Sequence, residues 1–218
     1  DLARHLSASL GCLKKGIPLA YILRKKEFWS FELEVDKNTL IPRPETELIV
    51  EKSVKLAKEK GTVLELGTGS AAIAIALAKE RPDLQITATD ISPAALRVAK
   101  RNLFRHRLLL NLVLSDWYSA ISGKWDLIIS NPPYIAENDP HLISLREEPK
   151  IALIAGPTGY EALHYIIDGA KNFLAAGAYV IVEHGYDQAK QVRERFNKRQ
   201  FSKVYSYKDL AQIERITV

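Results

Sequence analysis

The sequence predicts an α/β fold with a mostly parallel sheet of seven strands flanked by helices. Two observations predict it: short apolar runs alternate with segments of helical periodicity, and a glycine-rich turn follows the first run of the series. Such alternation is typical of βαβ units, whose strands are buried on both faces. The runs interpreted as the first five strands are residues 62–66, 85–90, 111–115, 125–130 and 179–183. A closing pair of strands is predicted at residues 201–207 and 212–218.

Bulk composition limits the class of protein. The chain has 218 residues, 47% hydrophobic and 26% charged, which suits one large α/β domain or a domain with a small appendage. Its net charge of +5 would suit an acidic partner or RNA but specifies neither. Cys12 is the only cysteine, so neither a disulfide framework nor a cysteine metal site is expected, and no metal is predicted. Since we find no signal peptide and no apolar run of about eighteen residues, we expect a cytoplasmic, soluble monomer with no membrane partner.

The first 26 residues are predicted to precede the sheet as a helix and a linker. Residues 1–15 carry leucines at helical spacing, and Gly16-Ile17-Pro18 would end that helix. One short helix cannot form a core, so we interpret it as an appendage or as the remnant of a larger domain. Because methionine is absent, including at position 1, we expect the native chain to begin earlier. Residues 27–218 are predicted to form the main domain.

A β-hairpin and an acidic helix start are predicted before the sheet. Residues 27–36 alternate between polar and apolar side chains, as in a half-buried strand, and residues 39–41 are interpreted as the return strand. Pro44 suits the first turn of a helix, and Glu45 and Glu47 suit its positive end. Helix capping and a functional role explain this acidic turn equally well.

The glycine-rich turn lies at the end of the first sheet strand. Residues 67–72 read Gly-Thr-Gly-Ser-Ala-Ala, a G-x-G-x-x-A pattern between a predicted strand and a predicted helix. In that context the pattern is the fingerprint of the dinucleotide-binding fold, because its glycines let a ligand approach the backbone. Asp90 ends the next strand at the spacing expected of an acceptor for ribose hydroxyls. Together these features predict a cofactor that contains adenosine.

Further polar and aromatic residues follow the third and fourth strands. Asp116 and Trp117 follow the third strand. There the Asp116 carboxylate can accept a hydrogen bond from an adenine amino group, and the Trp117 ring can flank the base. Core packing explains Trp117 equally well. The fourth strand ends in Asn131-Pro132-Pro133-Tyr134. Ligands of open α/β sheets bind outside the carboxyl ends of the strands. We therefore expect these residues to line one crevice with the glycine turn.

The Asn-Pro-Pro-Tyr sequence predicts a binding site for a planar nitrogen, although a strand-terminating turn is the simpler interpretation. Two prolines fix φ and remove two N–H groups, which leaves the Asn131 side-chain oxygen and the backbone carbonyls as stiff acceptors beside the ring of Tyr134. Methyl transfer from a sulfonium requires the delocalised lone pair of such a nitrogen to point at the methyl carbon. Acceptors that hold its N–H groups favour that geometry. Hydride transfer from a nicotinamide would need a positioned acid or base, which the sequence does not indicate.

From about Gly16 the chain resembles the PrmC/HemK family, which methylates the glutamine amide of the Gly-Gly-Gln loop in peptide-chain release factors. The matching stretches are residues 18–22, 28–29, 41–47, 65–70, 116–117, 131–135 and 185–188. The Ile-Pro-Arg-Pro-Glu-Thr-Glu stretch, together with Asn-Pro-Pro-Tyr, is far more specific than the glycine turn. The resemblance implies a Rossmann-like, class I S-adenosylmethionine-dependent methyltransferase. It also implies that residues 1–26 are the remnant of a helical substrate-binding domain and that residues 27–218 are a β-hairpin and the catalytic domain.

The resemblance implies a role for each candidate site residue. S-adenosylmethionine would be held by Gly67, Thr68, Gly69, Ser70, Ala71, Asp90, Asp116, Trp117 and Asn131. The catalytic residues would be Asn131, Pro132 and Tyr134. The substrate amide would be bound by Asn131, Pro132, Pro133 and Tyr134, with Pro44, Glu45 and Thr46 closing over it. A class I release factor would be the protein substrate.

Some features depart from the family or leave alternatives open. Ala71 stands where the family usually has glycine, so its methyl group would narrow the approach to the cofactor. Residues 209–212 lack a glycine that often follows the family tripeptide Asp-Leu-Ala.

Two alternative functions stay open. They are a methyltransferase for exocyclic amino groups of adenine or guanine in nucleic acid, and a cofactor-binding module that does not catalyse. Nucleic acid is not expected as the substrate, because no separate target-reading domain is visible. Residues 135–158 are interpreted as an irregular lid or substrate rim.

Overall fold

The fold is given by a computed structural model, which describes residues 10–218. Residues 10–14 are helical, while residues 1–9 of the predicted N-terminal helix lie outside the described residues. The helices that follow are α1 (Leu19–Leu23), α2 (Glu47–Leu56), α3 (Ala72–Glu80), α4 (Pro93–Arg105), α5 (Glu161–Ala170) and α6 (Ala189–Lys198). Within residues 10–218, no helix is both long enough and apolar enough to cross a membrane.

The strands form one large sheet and two small ones. They are β1 (Lys25–Phe28), β2 (Phe31–Glu34), β3 (Thr62–Leu66), β4 (Gln85–Asp90), β5 (Asn111–Leu114), β6 (Trp125–Ser130), β7 (Ile135–Ala136), β8 (Ile154–Gly156), β9 (Leu174–Glu183), β10 (Ser206–Lys208) and β11 (Glu214–Thr217). The large sheet has seven strands in the order β10-β11-β9-β6-β3-β4-β5. Strands β9, β6, β3, β4 and β5 are parallel, and β11 runs antiparallel to both of its neighbours, β9 and β10. The predicted α/β class and seven-stranded sheet are therefore confirmed.

The order of the strands reverses beside β3. The chain adds β4 and β5 on one side of β3 and then crosses to add β6 on the other side. At such a switch point the connections leave in opposite directions, and a crevice opens at the carboxyl ends of the two central strands. The loops after β3 and β6 therefore leave the sheet side by side.

The sheet is covered by helices on both faces. Successive residues of a strand point to opposite faces, so Val63 and Leu127 belong to one apolar cluster while Leu64 and Ile128 belong to the other. Helix α3 is rich in alanine, a small residue with high helix propensity, and it is buried along nearly its whole length against the first face. This packing fixes the start of α3, where the glycine-rich turn ends.

The hairpin differs from the prediction made from its alternating pattern. Strand β1 pairs with β2, so the single strand predicted over residues 27–36 is wrong, and residues 39–41 form no strand. The chain reverses at Trp29 and Ser30, which have φ of 49° and 61°. A two-residue turn with positive φ at both positions matches the twist of the strands, but it usually contains glycine or asparagine. Here a tertiary contact supports it instead, because the Trp29 backbone N–H donates to Glu47 Oε1 over 2.8 Å.

The ends of other strands also differ from those predicted. Strand β9 begins at Leu174, five residues before the predicted start. Strands β10 and β11 are shorter than predicted. The segment 135–158 is less irregular than predicted, because β7 and β8 pair in parallel at its two ends.

A single buried side chain connects the hairpin to the glycine-rich turn. Asn102 in α4 has no exposed surface. Its Oδ1 accepts from the Glu34 backbone N–H over 2.7 Å, and its Nδ2 donates to the carbonyl oxygens of Glu34 and Ser70 over 2.9 Å each. The side chain thus satisfies three backbone groups that would otherwise be buried without partners.

We expect Asn102→Ala to lower the free energy of unfolding by about 3 kcal/mol, since it leaves these backbone groups unsatisfied. The measurement is urea denaturation. The control is Arg101→Ala one residue earlier, which removes partly exposed ion pairs to Glu34 and Asp36 and should cost less than about 1 kcal/mol. Equal losses in the two variants would contradict the role given to Asn102.

Candidate active site

The carboxyl ends of four parallel strands border one cavity of about 500 Å³. A cavity of this size suits a small-molecule cofactor. The sequence-predicted residues that line it are Thr46, Gly67, Thr68, Gly69, Ser70, Asp90, Asp116, Trp117, Asn131 and Pro133. The structure thus brings together residues that are up to 87 positions apart, from Thr46 to Pro133. Within residues 10–218, no cluster of His, Cys, Asp or Glu side chains could hold a metal ion.

The glycine turn needs its glycines for conformation and for space. Gly67 and Gly69 have φ of 74° and 56°, values that are unfavourable for residues with a Cβ. A methyl group placed on Gly69 would meet no protein atom within 4 Å, and one on Gly67 would meet only Trp117, at 3.8 Å. Both positions therefore face open space in the cavity, as a cofactor cradle requires.

Ala71 does not lie where the sequence led us to expect it. Its neighbours Ser70 and Ala72 line the cavity, but Ala71 does not, and its methyl group is fully buried in the apolar core. Its φ of 65° explains why glycine suits this position, since a left-handed conformation costs an alanine about 1 kcal/mol. The departure from glycine therefore affects the backbone at the start of α3 rather than the width of the cavity.

Asp90 holds the glycine turn in place as well as lining the cavity. Its Oδ2 accepts from the Gly69 N–H over 2.8 Å, and its Oδ1 accepts from the Ser92 N–H over 2.9 Å. Burial raises the pKa of this carboxyl group, and the backbone hydrogen bonds oppose the rise. A carboxylate has about four acceptor sites, so further hydroxyl donors can still bind.

Glu65 is a site residue that sequence reasoning missed. It lies within β3, 1% exposed, and its Oε2 accepts from the Thr68 hydroxyl over 2.7 Å. Burial raises the pKa of its carboxyl group to about 8. Two features of the sequence could have indicated this residue. It is a charged residue inside a short, mostly apolar strand, and it lies just before the glycine turn.

The opposite wall of the cavity comes from the segment 135–158 and from α5. Ile151, Ala152 and Ile154 line it from the segment, and Ala162 and Tyr165 line it from α5. None of these was predicted as a site residue. The segment predicted as a lid or rim therefore does border the cavity, through apolar side chains.

The Asn-Pro-Pro-Tyr residues divide into two groups. Asn131 and Pro133 line the cavity, whereas Pro132 and Tyr134, which were expected to contact the substrate amide, are not among the lining residues. Pro132 is buried, and the Tyr134 hydroxyl instead donates to Glu183 Oε1 over 3.3 Å. The Asn131 side chain donates through Nδ2 to Thr46 Oγ1 over 3.0 Å. Its Oδ1 has no hydrogen-bond partner among residues 10–218 and remains available as an acceptor.

The residues before α2 contribute differently from what the acidic motif suggested. Pro44, Glu45 and Thr46 form one 3₁₀ turn, but only Thr46 lines the cavity. The lining includes four earlier residues that sequence reasoning did not assign to the site: Asn38, Thr39, Leu40 and Pro42.

Two anchors fix the residues before α2 against the rest of the molecule. Glu148, 5% exposed, forms an ion pair with Arg43 and accepts from the Ile41 N–H over 3.0 Å. The Tyr21 hydroxyl donates to the Thr39 carbonyl oxygen over 2.6 Å. Together these contacts join the residues before α2 to helix α1 and to the segment 135–158.

The chain is similar to known methyltransferases along its length. The family model described as methyltransferase small domain matches residues 44–146. A release factor glutamine methyltransferase from Coxiella burnetii is 43% identical, over 99% of this chain and 79% of that protein. One from Salmonella typhimurium is 44% identical, over 94% of this chain and 76% of that protein.

Among solved structures, the release factor-specific protein-(glutamine-N5) methyltransferase from Alicyclobacillus acidocaldarius is similar at 29% identity. The TM-score is 0.51, over 85% of this chain and 96% of that chain. The chain is more than 40% identical to the two bacterial release factor glutamine methyltransferases, and it covers more than three quarters of each. The chain belongs to the family of release factor glutamine methyltransferases.

Proposed function

We propose that the protein transfers a methyl group from S-adenosylmethionine to the side-chain amide nitrogen, N5, of the glutamine in the Gly-Gly-Gln motif of a class I release factor. The observation that carries this proposal is the free Asn131 Oδ1, which lies at the same cavity as the glycine turn. The similar proteins from Coxiella burnetii and Salmonella typhimurium are named release factor glutamine methyltransferases, which supports a release factor as the substrate. Residues 27–218 would be the catalytic domain, and residues 1–26 would belong to a helical part that binds the release factor.

The cavity suits S-adenosylmethionine, which supplies a methyl group on a positively charged sulfur. The open space at Gly67 and Gly69 admits the amino-acid part of the cofactor close to the backbone. The Asp90 carboxylate has acceptor sites left for the ribose hydroxyls. Trp117 borders the cavity beside Gly67, where its ring would flank the adenine, and Asp116 would accept from the adenine amino group.

The residues after β6 would supply the catalysis by positioning. An amide nitrogen is a weak nucleophile because its lone pair is delocalised into the carbonyl group. When Asn131 Oδ1 and the Pro132 carbonyl oxygen accept its two hydrogens, the nitrogen is held with its lone pair toward the methyl carbon. Bound S-adenosylmethionine would supply the methyl group, and the amide nitrogen that gains it would give up one proton to water.

Nucleic acid is less well supported as a substrate. The net charge of +5 was the feature that favoured it, but part of the positive charge lies on helix α4, where two arginines are paired with acids of the hairpin region. Arg101 pairs with Glu34 and Asp36, and Arg105 pairs with Glu32. This pairing offsets part of the positive charge that would otherwise attract a phosphate backbone.

The substrate assignment is tested by incubating the protein with labelled S-adenosylmethionine and either a release factor or total RNA and DNA. We expect label on the release factor only, and none on a release factor whose Gly-Gly-Gln glutamine is replaced by alanine. Label on RNA or DNA but not on the release factor would overturn the proposal. Cofactor binding without any transfer would favour the non-catalytic module.

We expect Asn131→Ala to lower the turnover rate by at least about a hundredfold, because one positioned acceptor is lost from the site. The cofactor dissociation constant, measured by calorimetry, should stay within about threefold, since the glycine turn is untouched. Asn138→Ala, at an exposed position of the following segment, is the control and should keep full activity. Undiminished turnover in Asn131→Ala would show that this residue does not grip the amide.

We expect Ala71→Gly to leave the cofactor dissociation constant within about threefold, because the methyl group points into the core and not into the cavity. Gly69→Ala should weaken cofactor binding by roughly tenfold or more, since its methyl group would enter the open space and strain a positive φ. Calorimetric titration with S-adenosylmethionine measures both. A clear gain in affinity for Ala71→Gly would mean that the alanine does restrict the cofactor.

A further inference from the structure

Gln188 is a buried residue of the Gly-Tyr-Asp-Gln stretch, which the proposed mechanism does not use. It stands immediately before helix α6, and only 5% of its surface is exposed. Its Oε1 accepts from the Gly185 N–H over 2.8 Å. Its Nε2 donates to the carbonyl oxygens of Tyr134 and Gly159 over 3.1 Å each. One side chain thus joins the loop after β6, the residues before α5 and the turn after β9.

The three backbone groups around Gln188 fix the orientation of its amide. The two carbonyl oxygens need donors, and the Gly185 N–H needs an acceptor. If the amide were turned over, its oxygen would face both carbonyl oxygens and its NH₂ group would face the N–H. A buried polar group with its partners satisfied is rigid. Gln188 therefore holds the three segments at fixed distances from one another.

Gly159 gives independent evidence that two of these segments are closely packed. Its φ is 82°, and a methyl group on it would lie 2.8 Å from the Tyr134 carbonyl oxygen and 3.1 Å from the Ala136 nitrogen. Real Cβ atoms do not approach other atoms so closely, and a residue with a Cβ disfavours this φ. The chain before α5 therefore lies directly against the loop after β6, at a distance that only glycine allows.

The loop after β6 is stiff enough to transmit the position of Tyr134 to the residues that would bind the amide. Its first end is fixed in the sheet, where the Ser130 hydroxyl donates to a carbonyl oxygen of β3. Its other end is fixed at Tyr134 by Gln188. Proline fixes φ at two of the three residues in between. A shift of the Tyr134 carbonyl would therefore also move Asn131, which lines the cavity.

The residues before α5 lead to the opposite wall of the same cavity. Gly159 precedes α5 by one residue, and Ala162 and Tyr165 of that helix line the cavity. By donating to Tyr134 and to Gly159 from one nitrogen, Gln188 connects the amide-binding loop to this wall. Gln188 itself is not among the lining residues, so its effect on a ligand must pass through the segments that it holds.

We propose that Gln188 is a positioning residue for methyl transfer, which holds the loop 131–134 at a fixed distance from α5 and so determines where the substrate amide lies relative to the cofactor. This inference rests on the proposed function, because it concerns the same amide-binding loop. The glycine turn and Asp90 belong to other loops, and Gln188 does not contact them through its side-chain hydrogen bonds. Cofactor binding should therefore depend little on Gln188.

The first test is Gln188→Met, which keeps the length of the side chain and removes its hydrogen bonds. We expect kcat for release-factor methylation to fall roughly tenfold to a hundredfold, the size typical of a small misplacement of reacting groups. The dissociation constant of S-adenosylmethionine, measured by calorimetry, should stay within about threefold. Gln191→Met, at an exposed position of the same helix, is the matched control and should keep the wild-type kcat. Melting temperatures show that each variant is folded at the assay temperature.

Gln188→Glu tests whether donation to the two carbonyl oxygens is what matters. The introduced carboxyl group can accept from Gly185, but when ionised it has no proton to donate to Tyr134 or Gly159. When protonated, it can donate to one of them. Burial raises the pKa of a carboxyl group, so the ratio of its kcat to that of wild type should rise as the pH falls from about 9 to about 6. The same ratio for Gln188→Met should not change with pH.

Gly159→Ala tests the spacing without removing a side-chain hydrogen bond. Its methyl group would push the Tyr134 carbonyl away, so we expect kcat to fall about tenfold or more. Gly177→Ala is the matched control, because Gly177 also has a positive φ, 72°, but a methyl group there meets no atom within 4 Å. That control carries the same backbone strain and should keep the wild-type kcat.

Three outcomes would overturn the inference. They are a kcat for folded Gln188→Met within about twofold of wild type, a ratio for Gln188→Glu that stays flat and as low as that of Gln188→Met, and equal kcat values for Gly159→Ala and Gly177→Ala. The glycine pair decides the matter even if Gln188→Met does not fold. The proposed function is judged separately, since it depends on whether the wild-type protein labels the release factor.

Discussion

The parallel pairing of β3 with β6 is the constraint on which the site depends. Leu66 is paired with Ser130, and the Ser130 hydroxyl donates to the Leu66 carbonyl oxygen over 2.7 Å. The next residue of each strand is the start of the glycine turn on one side and Asn131 on the other. A cofactor held by the first loop and an amide held by the second are thus brought together by backbone register. A slip of one residue would turn every side chain of the strand to the other face and bury the wrong set.

Buried acids stabilise the irregular loops that leave this edge of the sheet. Glu65 accepts from the Thr68 hydroxyl within the glycine turn, and Asp90 accepts from the Gly69 N–H of that turn and from the Ser92 N–H after β4. Glu148 holds the residues before α2 through Arg43 and a backbone N–H. Loops of this kind lack the repeating hydrogen bonds of helices and strands, so their donors need other acceptors. Carboxyl groups supply several acceptor sites each, which explains why acids recur around the cavity.

The sequence predicted the strands of the sheet more completely than the contacts of the site. Apolar runs ending in glycine, aspartate or asparagine located the parallel strands, because buried strands leave that pattern at short range. The turn at Trp29 and Ser30 was missed because the alternation of side chains continues through it and a distant glutamate, rather than glycine, supports it. Glu183 was interpreted only as the last residue of a strand. Its side chain is hydrogen-bonded to Tyr134, and no local pattern contains that information.

The resemblance names residues of the site, and the structure adds the contacts that these residues make. It assigned Tyr134 to the slot for the substrate amide, whereas the hydroxyl of this tyrosine bonds to Glu183 and the ring lies outside the cavity lining. Thr46, assigned to closure over the substrate, accepts a hydrogen bond from the Asn131 side chain. A motif names residues that act together but does not say which of them touch the ligand. Here Asn131 lines the cavity, and because its side-chain nitrogen is hydrogen-bonded to Thr46, its side-chain oxygen is left as a free acceptor.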